Sequence, residues 1–192
     1  MENTFVMETD ASITLNYLIY IQNIYLNQSL INEELKFPYL STNIVFQEDF
    51  ELKYKELWEE VTERIFTTQG TDLTLFYENK NLFYQKLLEQ TSENLISFDE
   101  VYKGFRVWWG SFVGEFSIKM SIAEAEQELY SDLSKWLLQT GKVPQKRLHI
   151  NLIYDDCILA NSQVSSYLAV IPIKDFYFRF KELVPRIREC FV

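Results

Sequence analysis

The chain has 192 residues, 47% hydrophobic and 24% charged, with a formal net charge of −10 and a single histidine. That composition is unlike a disordered chain, and its acidic balance disfavours binding to phosphate backbones. No Cys-x-x-Cys, His-Glu-x-x-His, Glu-x-x-His or Gly-rich phosphate loop occurs, so the common zinc, di-iron and nucleotide motifs are absent.

A chain of this length suits a single globular domain over residues 1–192. Its 15 Phe, 12 Tyr and 4 Trp supply rings for a core, each removing about 150–250 Å² from water when buried. Five Gly and four Pro are too few for many tight turns. The predicted fold is therefore mainly α: five to six helices in a bundle-like domain, with a short β-hairpin or strand pair near 148–173. Charge divides along the chain. Residues 1–141 carry 10 basic and 23 acidic side chains, residues 142–192 carry 8 and 5, so an acidic helical body precedes a modestly basic C-terminal part.

In chain order, the first helix is predicted from about Ala11 to Leu35, capped by Thr9 or Asp10, with Ile13, Tyr17, Tyr20, Ile21, Ile24, Ile31 and Leu35 at helical spacing. Apolar residues surround it between Tyr17 and Leu26, but Gln22 and Asn23 interrupt that run. It is too short for a membrane span and reads as a buried helix. Phe37-Pro38 ends the segment. A second helix, about Glu48 to Thr68, carries Phe50, Tyr54, Leu57, Trp58, Val61 and Ile65 on one stripe. Glu51–Lys55 and Glu60–Arg64 are spaced for ion pairs, and Gly70 for the stop.

Asp72 is placed to cap a third helix through Leu88, with a polar interruption at residues 78–81. The capping box Ser97-Phe98-Asp99-Glu100 predicts a fourth helix with Val101, Phe105, Trp108, Trp109, Phe112 and Phe116 inward. A second box at Ser121 to Glu124 opens a fifth, stopped by Gly141. Beyond the linker 142–147, Leu148, Ile150, Leu152 and Tyr154 alternate as in a strand. Tyr167 to Ile173 is a second strand candidate that Pro172 assigns to an edge. A final helix runs from Asp175, kinked or divided by Pro185.

The residues offer little chemistry. His149, Asn151, Asp155 and Cys157 hold the inventory of a thiol nucleophile. On a straight strand, however, His149 and Cys157 lie about 26 Å apart, so a solvated strand face is the expectation. Gly110 and Gly114 fit close helix packing. The carboxylates of Glu59, Glu60 and Glu63, and of Glu124, Glu126 and Glu128, fit solvated helix faces. No catalytic residue, cofactor or metal is expected. Trp108 and Trp109, on adjacent and therefore divergent helix directions, are the candidates for an interaction surface, Trp109 more so, together with Asp155 and Asp156.

Cys157 and Cys190 read as free thiols of a reducing compartment, so a cytoplasmic location is expected. The opening MENTFVMETD lacks the basic region of a secretory signal. These features point to a non-enzymatic protein that binds another protein, a basic one by charge, with no nucleic-acid or membrane partner. Immunity and antitoxin proteins are one such class. The alternative is an enzyme or small-ligand-binding protein with an inter-helical pocket lined by acidic and aromatic residues.

Overall fold

A computed structural model describes residues 5–28, 34–40, 44–68, 71–161 and 164–191. Among them the chain is mostly helical, in the order β1 (Met7–Ala11), α1 (Ile13–Gln28), α2 (Phe50–Thr67), α3 (Thr71–Glu78), α4 (Lys80–Leu87), α5 (Ser92–Trp109), α6 (Ser117–Ser121), α7 (Ala123–Thr140), β2 (Leu148–Ile153), β3 (Val164–Ser165), β4 (Leu168–Pro172), α8 (Asp175–Phe178) and α9 (Phe180–Arg188). Ile31 and Gly70, given roles above, lie outside the described residues. The chain divides into two compact units. One comprises Ile13–Gly114 and Cys157–Asn161; the other comprises Met1–Ser12, Glu115–Asp156 and Ser162–Val192.

The helical unit is organised around α1, whose residues from Ile13 to Ile24 are all buried. Its aromatic load explains how so few residues enclose it. Tyr17 lies 5.0–5.6 Å, between ring centroids, from Phe76, Phe83, Tyr102 and Phe105, mostly edge to face. A second row runs from Tyr25 through Phe50 and Tyr54 to Trp58. The cap of α1 differs from expectation, because Asp10 belongs to β1. The backbone N–H groups of Ile13 and Thr14 donate instead to the Asp72 carboxylate, at 2.9 and 3.1 Å, and the Thr14 hydroxyl donates to the Asp72 carbonyl. A carboxylate from the first turn of α3 thus supplies the cap for another helix start.

Buried amides fix the connections. Asn23 donates to the Phe37 carbonyl, and Asn27 donates to those of Lys36 and Pro38 while accepting the Lys36 N–H, which ties the Phe37-Pro38 turn to α1. Asn94 accepts from Val45 N–H and donates to the carbonyls of Val45 and Glu89. Gln22 accepts from the N–H groups of Ile158 and Leu159, joining 157–161 to this unit. The predicted interruption of the third helix falls at Asn79, between α3 and α4. The Ser97 box does not start α5: Thr91 does, its hydroxyl accepting the Asn94 N–H, and Ser97 lies inside the helix. Its buried stripe is Asn94, Phe98, Val101, Tyr102, Phe105 and Trp109. The helix ends at Gly110, and the backbone then passes through a π-helical turn that breaks at Gly114.

The other unit carries a four-stranded sheet in the order β1-β2-β4-β3. The expected strand pair is present as β2 and β4, but they run parallel, so they form no hairpin. A parallel pair requires a crossover, here residues 154–167. The first strand, β1, is unforeseen: it pairs parallel with β2, Met7 opposite Leu148. Only β3 is antiparallel. Both faces of β2 are buried apart from His149, which corrects the solvated face expected there; a central parallel strand is covered on both sides. Nor is β4 an edge strand. Pro172 is tolerated because β3 reaches only Leu168 and Ala169. Helix α6 packs against β1 and β2, and α8 against β4. The C-terminal helix divides at Arg179, while Pro185 is accommodated inside α9. Asp175, 2% exposed, receives Arg179 and Arg186 at 3.3 and 3.1 Å, so its charge is compensated.

Cys157 and Cys190 are not joined by a disulfide. Burial pushes the Cys190 thiol up to about 11 and the Tyr20 hydroxyl up to about 12, against ordinary values of 9.0 and 10.0. Both groups are neutral when protonated, so the fold gains from that form. This stability is complete below pH 9 and is lost as pH rises through 11 and 12. The urea midpoint should hold steady from neutrality to about pH 9 and then fall, the earlier part of the fall disappearing in Cys190→Ala. A midpoint that climbs above pH 9 contradicts this.

Candidate functional site

Helix α2 buries Phe50, Tyr54, Leu57, Trp58, Val61 and Thr62 on one side. At about 100° per residue, Leu52, Glu56, Glu59 and Glu63 lie within about 60° of one another on the opposite side. All four are exposed. The flanks of the helix are neutralised: Lys53 pairs with Asp49 at 3.0 Å, and Glu60 pairs with Arg64 at 2.7 Å and Lys86 at 2.5 Å. Glu51 accepts from the Tyr25 hydroxyl, leaving the expected Glu51–Lys55 pair unmade. Among the described residues none of Glu56, Glu59 and Glu63 has an ion-pair partner. Across the helical unit, 15 acidic and 8 basic side chains leave a net charge of −7.

The end of α5 offers a second, apolar feature. The tryptophans exchange the roles expected of them. Trp109 is 7% exposed and stacks on Phe105 with centroids 5.6 Å apart, because at about 100° per residue position 109 falls on the side of Phe98 and Phe105. Trp108 is half-buried, 5.2 Å from Phe37 and 6.2 Å from Tyr20. Phe112, expected in the core, is 73% exposed, and Val107 is 76% exposed. Val113 and Phe37 are also exposed. Large apolar side chains gathered in so short a stretch are typical of surfaces that meet another molecule.

Asp155 and Asp156 close the end of β2. The Asp155 carboxylate accepts the Asp156 N–H at 2.8 Å, and Asp156 pairs with Lys174. Their geometry is that of an acidic turn held by a lysine. The thiol inventory is divided: the Nδ1 of His149 faces Glu8 at 3.3 Å, Asn151 is buried, and Cys157 belongs to the segment counted with the helical unit. Among the described residues no group of three or more His, Cys, Asp or Glu is placed to hold a metal ion, and no helix is long and apolar enough to cross a membrane.

The acidic stripe of α2 was readable from the helical period. Its isolation was not, because Lys53, Lys86 and Arg64 all turn to its flank. The apolar end of α5 was hidden because the sequence pattern counts Phe112 as core. Compared with known proteins, the chain matches no family model, no curated protein and no solved structure.

Proposed function

We propose that the chain is a non-enzymatic, cytoplasmic binding protein whose bundle-like helices engage a basic protein partner. The observation that carries this reading is the α2 stripe: three carboxylates without ion-pair partners among the described residues, opposite the buried face of their own helix, on a unit of net charge −7. A surface of one sign steers an oppositely charged partner and repels others. Leu52 on the stripe and Trp108 near the α5 terminus would add apolar anchoring. Immunity and antitoxin proteins, which neutralise toxins, are one class with this profile.

The test is a capture experiment with the immobilised full chain, at about 50 mM and 500 mM salt, beside the triple variant Glu56→Lys, Glu59→Lys, Glu63→Lys. These exposed positions should change stability by no more than about 0.5 kcal/mol. A basic protein identified by mass spectrometry should be retained at low salt, released at high salt, and bound at least about tenfold more weakly by the triple variant. Retention indifferent to both salt and charge reversal overturns the reading.

A further inference from the structure

The unit that carries the sheet has a cleft of about 400 Å³, within the range of small-molecule sites. It lies between the end of α7, the linker after Gly141 and the β3–β4 turn. Its walls are apolar: Leu137, Val143, Tyr167 and Phe191. Its charged groups are two lysines, Lys142 and Lys146, on a protein whose net charge is −10.

The polar groups lining this cleft offer mainly donors. The Lys142 ammonium is held by the Phe191 carbonyl at 3.3 Å and stands 5.3 Å from the Trp136 ring, with further N–H bonds to give. Lys146 is exposed and has no partner among the described residues. The Tyr167 hydroxyl accepts the Gln145 N–H at 2.9 Å and, among the described residues, keeps its own proton uncommitted. Tyr167 also has φ of 62°, a left-handed backbone that glycine adopts freely and a bulky side chain adopts at a cost. Two bonds keep it there: its N–H donates to the Cys190 carbonyl, and its carbonyl accepts the His149 N–H, both at 2.9 Å. A tyrosine retained in a conformation suited to glycine, with its ring on a cleft wall, points to a role for that ring.

From this combination we infer that the cleft binds a small organic anion with an apolar body, of the kind represented by a medium-chain carboxylate. The apolar walls take the hydrocarbon, and the lysines and the tyrosine hydroxyl donate to the carboxylate oxygens. Phosphate-rich ligands fit less well, because four apolar walls would then face charge.

The test is a titration of the full chain by NMR with octanoate, with octanol and acetate as controls. Octanoate should bind saturably with Kd of about 1 mM or tighter, shifting resonances of residues 142–146, 167 and 191. Octanol, which lacks the charge, and acetate, which lacks the body, should each bind at least about tenfold more weakly, as should octanoate to Lys146→Glu, while Tyr167→Phe should lose about threefold or more. The α2 triple variant should bind octanoate as the native chain does, which separates this site from the protein-binding reading. Absence of saturable shifts by about 10 mM octanoate overturns the proposal, as does binding by octanol or Lys146→Glu within about twofold of octanoate to the native chain.

Discussion

Gly114→Ala should destabilise the protein by about 3 kcal/mol or more, an effect at the upper end for one added methyl group. A Cβ at that position would lie 2.4 Å from the carbonyl oxygens of both Trp108 and Trp109 and 2.7 Å from the Trp109 carbonyl carbon. These are backbone atoms, so relief requires the end of α5 to unwind. The N–H bonds of Gly110 to Arg106 and of Ser111 to Trp108 would go with it. The same substitution at Gly104 should act in the opposite direction. There the Cβ meets only the Tyr20 hydroxyl, at an ordinary 3.5 Å, and replacing glycine inside a helix gains about 0.5–1 kcal/mol. Urea denaturation followed by tryptophan fluorescence measures both, and equal effects at the two glycines would refute the argument.

The second large effect concerns Tyr17, whose ring touches four others at the centre of the helical unit. Tyr17→Ala should cost about 3–5 kcal/mol, since it removes the transfer free energy of the ring and leaves a cavity that aromatic neighbours cannot fill. Tyr17→Phe should be neutral or stabilising by about 1 kcal/mol. The hydroxyl is fully buried and finds no hydrogen-bond partner among the described residues, and burial pushes its ionisation well above the ordinary tyrosine value. Removing an oxygen that has lost water and gained nothing relieves a desolvation penalty. Paired denaturation curves decide this: a Phe variant markedly weaker than the native protein means that the hydroxyl has a partner.

Several helices were legible in the sequence, because helix signals are local. The stripe Phe50, Tyr54, Leu57, Trp58, Val61 repeats with the period that buries one side of α2. Gly141 terminates α7 in the left-handed conformation its position suggested. What remained illegible is non-local. Met-Glu-Thr-Asp-Ala contains no strand-forming run, and β1 exists because Leu148–Leu152 offers it a partner. Asp72 resembles the cap of its own helix, while its carboxylate serves α1. The acidic surface followed from counting charges and helical phase. The cleft did not, since Leu137, Lys142, Tyr167 and Phe191 come from separate parts of the chain.

Pairing Met7 with Leu148 also dictates an order of events during synthesis. When β1 leaves the ribosome, the residues that will pair with it have not been translated, and all of Ile13–Gly114 must emerge before they appear. Gln22 waits longer still, since the N–H groups of Ile158 and Leu159, whose hydrogen bonds it accepts, follow β2 in the chain. Glu8 and Asp10 keep the waiting segment charged, which discourages association with a neighbouring chain. Their eventual cations arrive later, Lys119 with α6 and Arg147 immediately ahead of β2.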